Sequence, residues 1–283
     1  MKKIAVHLPI YERHDECLMT FAGLKRTDDV LKDHDIRLVV FPIVSDLDDY
    51  DFVKANQKMI TIGDVVVSDN ANLGSKLNIG LQVIMSYIHH PGIDYVMTMG
   101  SDNLLSQTAI NYILHGVETQ NVFWGFNHVL MYDKATSRAV AVKYSVPSGV
   151  GRMHAISMLD KACRCEAAIA KKSLTSKFGA IGKGQQCYLP TYLPKDETLY
   201  EYTGRKVVHL WPDDTRHSTD LDAEKWLMYN GYNCRTIKTE RPVILDVKGE
   251  SNLSPFSDFW DNPKHQRAEV NGGEWPEVGM IKQ

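Results

Sequence analysis

The chain has 283 residues, 43% of them apolar, which suffices for a buried core and excludes a disordered chain. Cysteines are few and odd in number (five) and no secretory apolar stretch follows Met1, so a disulfide scaffold is excluded and a reducing cytoplasm is expected. No uninterrupted apolar run approaches the roughly 18 residues that span a bilayer, so no membrane span is expected. The formal net charge of −3 hides an asymmetry: residues 134–183 hold ten Lys or Arg against two acids, a net +8, and the remainder carries −11. That pattern is either the footprint of a site for a polyanion or a solvated basic face.

Ile4 to Leu8, ended by Pro9, and Ile36 to Val44 are apolar runs that read as buried parallel strands. His14 to Leu31 has helical spacing, and Asp64 to Val67 is a third strand. Ser75 opens a helix with Leu77, Leu81, Ile84, Met85 and Ile88 on one face, stopping at His90-Pro91-Gly92, where His89-His90 reads as capping. Tyr95 to Met99 is a fourth strand running into Gly100-Ser101-Asp102-Asn103, and a helix follows from Gln107 to Gly116. This alternation predicts an open parallel sheet flanked by helices, with ligands at the carboxyl ends of its strands. Further on, Asn121 to Asp133 and Arg138 to Tyr144 read as strands and Ala155 to Ala170 as a helix bearing the basic cluster. Val207 to Trp211 is a strand, Asp220 to Asn230 a helix, and Pro242 to Val247 a late strand. The organisation expected is one domain in two halves, 1–118 and 119–250, with 251–283 an irregular wrap or loose tail.

The chemical residues fall where ligands are expected. Asp102, leaving a buried strand, is either a ligand for Mg²⁺ or Mn²⁺ bridging a diphosphate or the N-cap of the next helix. Asp46, Asp48, Asp49 and Asp51 crowd one loop, as a nucleotide-base acceptor or as a plain acidic surface. Asp220 and Asp222 either complement a helix dipole or include a general base. Gly179 to Gly184 lacks phosphate-loop spacing and reads as a flexible lid, and Cys163-x-Cys165 lacks zinc spacing.

Pro9-Ile10-Tyr11-Glu12-Arg13, Val44-Ser45-Asp46, Asn72-Leu73-Gly74-x-Lys76-x-Asn78-x-Gly80 and Asp94 to Met97 leading to Gly100-Ser101-Asp102 resemble, in order, the motifs of GT-A glycosyltransferases of the family 2 type. The resemblance covers residues 3 to 115. It implies an α/β, GT-A type (Rossmann-like) open mixed sheet flanked by helices, forming one catalytic domain with an irregular C-terminal extension. It departs at the metal motif, where Gly100 replaces the first Asp of DxD and leaves Asp102 as the one metal ligand. Nucleotide contacts carried over are Pro9, Tyr11, Arg13, Asp46, Lys76 and Ser101, and the base falls on Asp222 or Asp220. Gly149 to Met153, Asp220-Leu-Asp222 and Asp246-Val-Lys248 with Asn252 are similar to phage-encoded glycosyltransferase-like proteins, some of which glycosylate hydroxymethylated bases in phage DNA.

The reading is therefore a metal-dependent hexosyl- or pentosyltransferase using Mn²⁺ or Mg²⁺ and a UDP-sugar, with Lys248 adding charge at the diphosphate. Its acceptor is expected to be polyanionic, DNA in particular, held by Arg152, Lys161, Arg164, Lys171, Lys172 and Lys177. A surface polysaccharide acceptor, a sugar nucleotidyltransferase and a non-catalytic binding protein of the same fold remain the alternatives.

Overall fold

The computed structural model describes residues 1–68, 73–86, 92–162, 164–166, 206–208, 210–211, 223–224, 227–228, 231–249 and 255–282, with backbone alone for 162, 164–166, 206–208 and 281–282. The first half alternates strand and helix as its hydrophobic pattern requires. β1 (Lys2–Pro9), α1 (His14–Lys32), β2 (Ile36–Val44), α2 (Leu47–Asn56), β3 (Val66–Val67), α3 (Leu73–Ser86) and β4 (Tyr95–Thr98) follow one another. β1 lies between β2 and β4 and is parallel to both, and β3 extends the parallel set beyond β2. Ile4, Val6, Leu8, Leu38 and Val40 are fully buried, as befits strands covered by helices.

The chain then changes sheets. β5 (Asn103–Leu105) starts the second sheet, α4 (Gln107–Glu118) follows, and β6 (Phe123–Phe126) returns to the first. β7 (His128–Asp133) and β8 (Arg138–Lys143) form a hairpin in the second sheet, and β9 (Arg152–Ala155) inserts antiparallel between β4 and β6. The continuous strand expected over Asn121 to Asp133 is thus two strands in different sheets. The break is Asn127, whose side chain donates to the Tyr144 carbonyl while its own carbonyl accepts the Tyr144 N–H.

α5 (Ile156–Ala162) is shorter than the helix expected to Ala170, because β10 (Arg164–Glu166) pairs antiparallel with β11 (Lys206–Val208). Long-range pairing overrides the local helical pattern, so the basic cluster is not one helix face. β12 (Arg235–Ile237) completes the seven-stranded sheet, in the order β12-β6-β9-β4-β1-β2-β3. β13 (Ile244–Lys248) enters the second sheet between β5 and β7, α6 (Ser257–Trp260) lies beyond it, and β14 (Gln266–Ala268) pairs with β8. The architecture is an open mixed α/β sheet flanked by helices, with a second five-stranded sheet beside it. The described part of the last thirty residues is a wrap: Trp275 and Val278 are buried, and Glu277 ion-pairs with Arg26 of α1 at 2.6 Å.

α3 docks on β1 through Gly80, where a Cβ would stand 2.6 Å from the His7 Nε2 atom, a distance no side chain tolerates. Fully buried Leu81 and Ile84 continue this face. His7 stacks on Trp211 (5.4 Å) and His154 on Phe123 (4.9 Å). Burial lowers the pKa of each to about 3.

Both histidines are therefore neutral in the fold and protonated when unfolded below about pH 6.5. The unfolded state binds the extra protons, so each contribution is complete above pH 6.5 and is lost as pH falls toward 3. Denaturant midpoints measured from pH 7 to 5.5 should fall, with each histidine accounting for roughly 1–1.5 kcal/mol of the loss. His154→Phe should show a shallower pH slope, and an unchanged slope would place the titration elsewhere.

Candidate active site at the strand ends

The turn leaving β1 is strained. Glu12 (φ 54) and Arg13 (φ 40) are consecutive non-glycine residues in the left-handed region, each costing of order 1–3 kcal/mol. What fixes them is Asp49, 1% exposed, from the first turn of α2. One of its oxygens accepts the Glu12 N–H and contacts His14 Nε2, both at 3.0 Å, and the other accepts the Ser45 N–H at 3.2 Å. Asp46 caps α2 by accepting the Asp49 N–H at 2.8 Å. Two of the four loop acids are thus structural, while Asp48 and Asp51 are exposed.

The turn aims Arg13 across the sheet at the end of β4. Its Nη1 lies 2.5 Å from Asp102 Oδ2, and Asp102 is buried. Gly100 is explained by crowding, since a Cβ there would collide with Asn103 Oδ1 and stand 2.8 Å from Asp102 Oδ1. Its N–H donates to that Asn103 oxygen at 2.8 Å. A second carboxylate cannot enter the motif here without displacing the first. Ser101 is buried, and its hydroxyl has no hydrogen-bond partner among the described residues.

β13 supplies what the motif lacks. Asp246 pairs in register with Asn103, and the Val247 N–H donates to the Asp102 carbonyl at 2.9 Å. Burial raises the Asp246 pKa; Lys248, 2.9 Å away, opposes the rise, and the Asp102 charge adds to it. The Lys248 pKa is raised although burial works against its charge, because Asp246 and Asp102 outweigh that burial. Arg13, Asp102, Asp246 and Lys248 therefore form one coupled set of two cations and two anions. The sequence offered Lys248 for this role and gave Asp246 none, although Asp246 stands in the same Asp246-Val-Lys248 motif.

Among the described residues no three His, Cys, Asp or Glu gather as a metal cage. The two carboxylates nevertheless suit a hard divalent cation that takes its other oxygens from a diphosphate and water. The buried Asp246 Oδ1 has no hydrogen-bond partner among the described residues, and a cation there would satisfy it.

The other expected residues divide clearly. Pro9 ends β1 in register with Ile43, and exposed Tyr11 follows it. Lys76 is a strut, 1% exposed, donating at 2.5 Å to both the Ile10 carbonyl and the Ser45 hydroxyl, with its ammonium 5.9 Å from the Tyr11 ring centre. Arg152 is 3% exposed, donates to the carbonyls of Pro147 and Ser148, and lies 3.6 Å from Glu224, so its charge serves the interior and not a surface for phosphates. Lys161 is exposed. Asp220, Asp222, Lys171, Lys172, Lys177, the 179–184 glycine segment and the side chain of Arg164 lie outside the described residues. A cavity of about 370 Å³ between the β1 and β2 ends is lined by Arg13, His14, Asp46 and Asp49 among others.

No protein-family model matches this chain, and no curated protein matches it. In shape it is similar to a crystal structure of S. aureus TarS residues 1–349, at 11% identity and a TM-score of 0.46, covering 87% of this chain and 60% of that one. A second S. aureus TarS crystal structure gives 10% identity and a TM-score of 0.47, covering 92% of this chain and 38% of that one. The chain thus spans about 60% and 38% of the lengths of those two chains.

Gly100→Ala tests the crowding directly. It should cost about 1–3 kcal/mol in denaturant unfolding, as the Asn103 amide loses its place on the Gly100 N–H. Gly100→Asp, although it writes DxD in full, should bind Mn²⁺ no more tightly than the parent by calorimetry. Tighter binding would show that the turn yields.

Proposed function

We propose that this protein is a GT-A type glycosyltransferase, moving a sugar from a nucleoside diphosphate sugar, in the first instance a UDP-sugar, to an acceptor hydroxyl. The observation that carries the reading is the convergence of Arg13 and Asp102, from two parallel strand ends, with Asp246 and Lys248, beside a cavity that Arg13 shares with Asp46 from a third strand end. Open α/β sheets bind nucleotides at such ends.

In this reading the acid-lined cavity suits the base and ribose, with Asp46 accepting from a base N–H, and the diphosphate lies toward Arg13 and Lys248. Asp102 and Asp246 would hold Mn²⁺ or Mg²⁺, which supplies charge to stabilise the departing diphosphate. Arg13 leaves Asp102 for a phosphate when the donor arrives, so that neither group keeps an unpaired charge. The bond from the sugar's anomeric carbon to the diphosphate oxygen breaks, and a bond to the acceptor oxygen forms. The acceptor's proton passes to a carboxylate, for which Asp222 is the choice and Asp220 the alternate. Glu224, two residues on, is fixed by Arg152.

For the acceptor, the sequence points to a polyanion, hydroxymethylated DNA, with a saccharide as the alternative. Support for the polyanion among the described residues is narrower than the charge count suggests. Lys134 pairs with Asp15 and Glu16 and Arg152 is internal, leaving Arg138, Lys143 and Lys161 exposed, with Arg138 against the Trp260 ring.

Calorimetry should find that Asp102→Ala abolishes Mn²⁺-dependent UDP binding with the fold intact, and unchanged affinity would remove the metal assignment. Asp222→Asn should lose turnover by 100-fold or more while keeping UDP affinity. Near-parent turnover in both Asn variants would put the base elsewhere.

Duplex DNA binding measured from 50 to 200 mM salt decides the acceptor class. A phosphate-binding surface should give a log–log slope of about −0.9 per phosphate, reduced in Lys161→Glu. A flat response would exclude the polyanion.

A further inference from the structure

The face of the second sheet that carries Asp246 does not stop at the donor site. Residues paired directly across neighbouring strands project to one side. One row runs Asn103, Asp246, Met131, Val140, Arg267, and the next runs Lys248, Asp133, Arg138. Both lie under α6. Phe259 sits over the Lys248 ammonium at 5.4 Å, and Trp260 over the guanidinium carbons of Arg138 and Arg267 at 5.0 and 4.5 Å. At the far end a cavity of about 400 Å³ opens between the β7–β8 turn and α6, lined by Asp133, Thr136, Arg138, Ser257, Trp260 and Asp261, with Phe256 completing it.

We infer that this cavity binds a neutral saccharide and holds the acceptor beside the donor site; its role as acceptor site rests on the transferase reading, whereas the binding itself does not. Three observations select a polyol over a polyanion. First, the charges balance: Asp133 and Asp261 stand against Arg138 in the lining and Arg267 beneath the Trp260 ring. A phosphodiester would meet two carboxylates there, at a repulsive cost. Second, the lining offers acceptors (two carboxylates and the Thr136 hydroxyl oxygen), donors (a guanidinium) and a group that is both (the Ser257 hydroxyl), and sugar hydroxyls are themselves both. Third, Phe256 and Trp260, with ring centres 5.7 Å apart and tilted by 32°, form an aromatic wall suited to the apolar C–H face of a pyranose.

The wall is held in place. Among the described residues Arg138 and Arg267 make no ion pair, so cation–π contact with Trp260 is what they have. Asp133 is fixed by its own turn, accepting from the Ala135 N–H at 3.2 Å and from the Thr136 hydroxyl. The volume falls within the roughly 300–1,000 Å³ of small-molecule sites.

The test is titration of the full chain with maltose, cellobiose and N,N′-diacetylchitobiose, read by calorimetry and tryptophan fluorescence, with glycerol as the non-specific control. At least one disaccharide should bind saturably. Its affinity should fall at least tenfold in Trp260→Ala and in Asp261→Asn and persist in Trp260→Phe, which keeps an aromatic face. Unchanged Mn²⁺-dependent UDP binding in Trp260→Ala shows that this variant is folded. The inference is overturned if none of the three binds above glycerol, if binding survives Trp260→Ala, or if a 12-nucleotide single-stranded DNA binds in their place with dependence on Trp260. Disaccharide binding through Trp260 without any UDP binding would uphold the saccharide site and remove the transferase reading; UDP binding without disaccharide binding would do the reverse.

Discussion

Everything at the strand ends depends on one buried carboxylate. Asp49 gathers the Glu12 N–H, the Ser45 N–H and the His14 ring, so it joins the turn after β1 to the loop after β2. Without it, two adjacent residues have no reason to remain at positive φ, since L side chains disfavour that region. Arg13 points at Asp102 because its backbone is held in that strained conformation, and the strain is offset by hydrogen bonds to a charged acceptor, which are stronger than neutral ones. The direction of causation matters: Asp49 is first a clamp, and Asp46, which caps α2, and Asp48 line the cavity beside it.

The clamp's product is a charge arrangement that is balanced before any ligand arrives. Arg13 neutralises Asp102, and Lys248 neutralises Asp246. A cation entering alone must compete with Arg13 for Asp102, and a diphosphate entering alone must approach two carboxylates. Under the proposed function the two would enter together, the diphosphate taking the guanidinium and the cation the carboxylates, so that each would relieve what opposes the other. Such coupling would be reciprocal by thermodynamic necessity, and its structural basis would be the Arg13–Asp102 ion pair at 2.5 Å.

How much of this was legible in the sequence follows the same physics. The first half is local: β1, β2 and β4 are apolar runs separated by helical periodicity, so their order and the position of Asp102 could be read directly. The four loop acids could be counted but not sorted, because which of them is buried depends on the partners Glu12 and Ser45, one of which lies 37 residues away. The basic segment misled for a related reason. Arg152 counts as a surface charge in a composition and is an internal one in β9, a strand placed by pairing with β4 and β6. Ala155 to Ala162 carries a helical pattern that Arg164 abandons for a strand partner more than forty residues away.

The second sheet is the part that sequence could not assemble, and it is where the two proposed substrates would meet. Asp246 reaches Asp102 because β13 is held between β5 and β7, strands more than 110 residues earlier. β5 has three residues, and Arg26 stabilises its end by donating to the Leu105 carbonyl at 2.7 Å. Arg26 is in turn oriented by Glu277, whose carboxylate accepts from its Nε. The C-terminal wrap is thus connected to the candidate cation site through one guanidinium and one short strand. Loop-closure entropy for contacts so distant in sequence has to be overcome before they return any stabilisation. The turn after β1 can therefore form from contacts with the loop after β2, whereas the pair of carboxylates is complete only once β13 has inserted between β5 and β7.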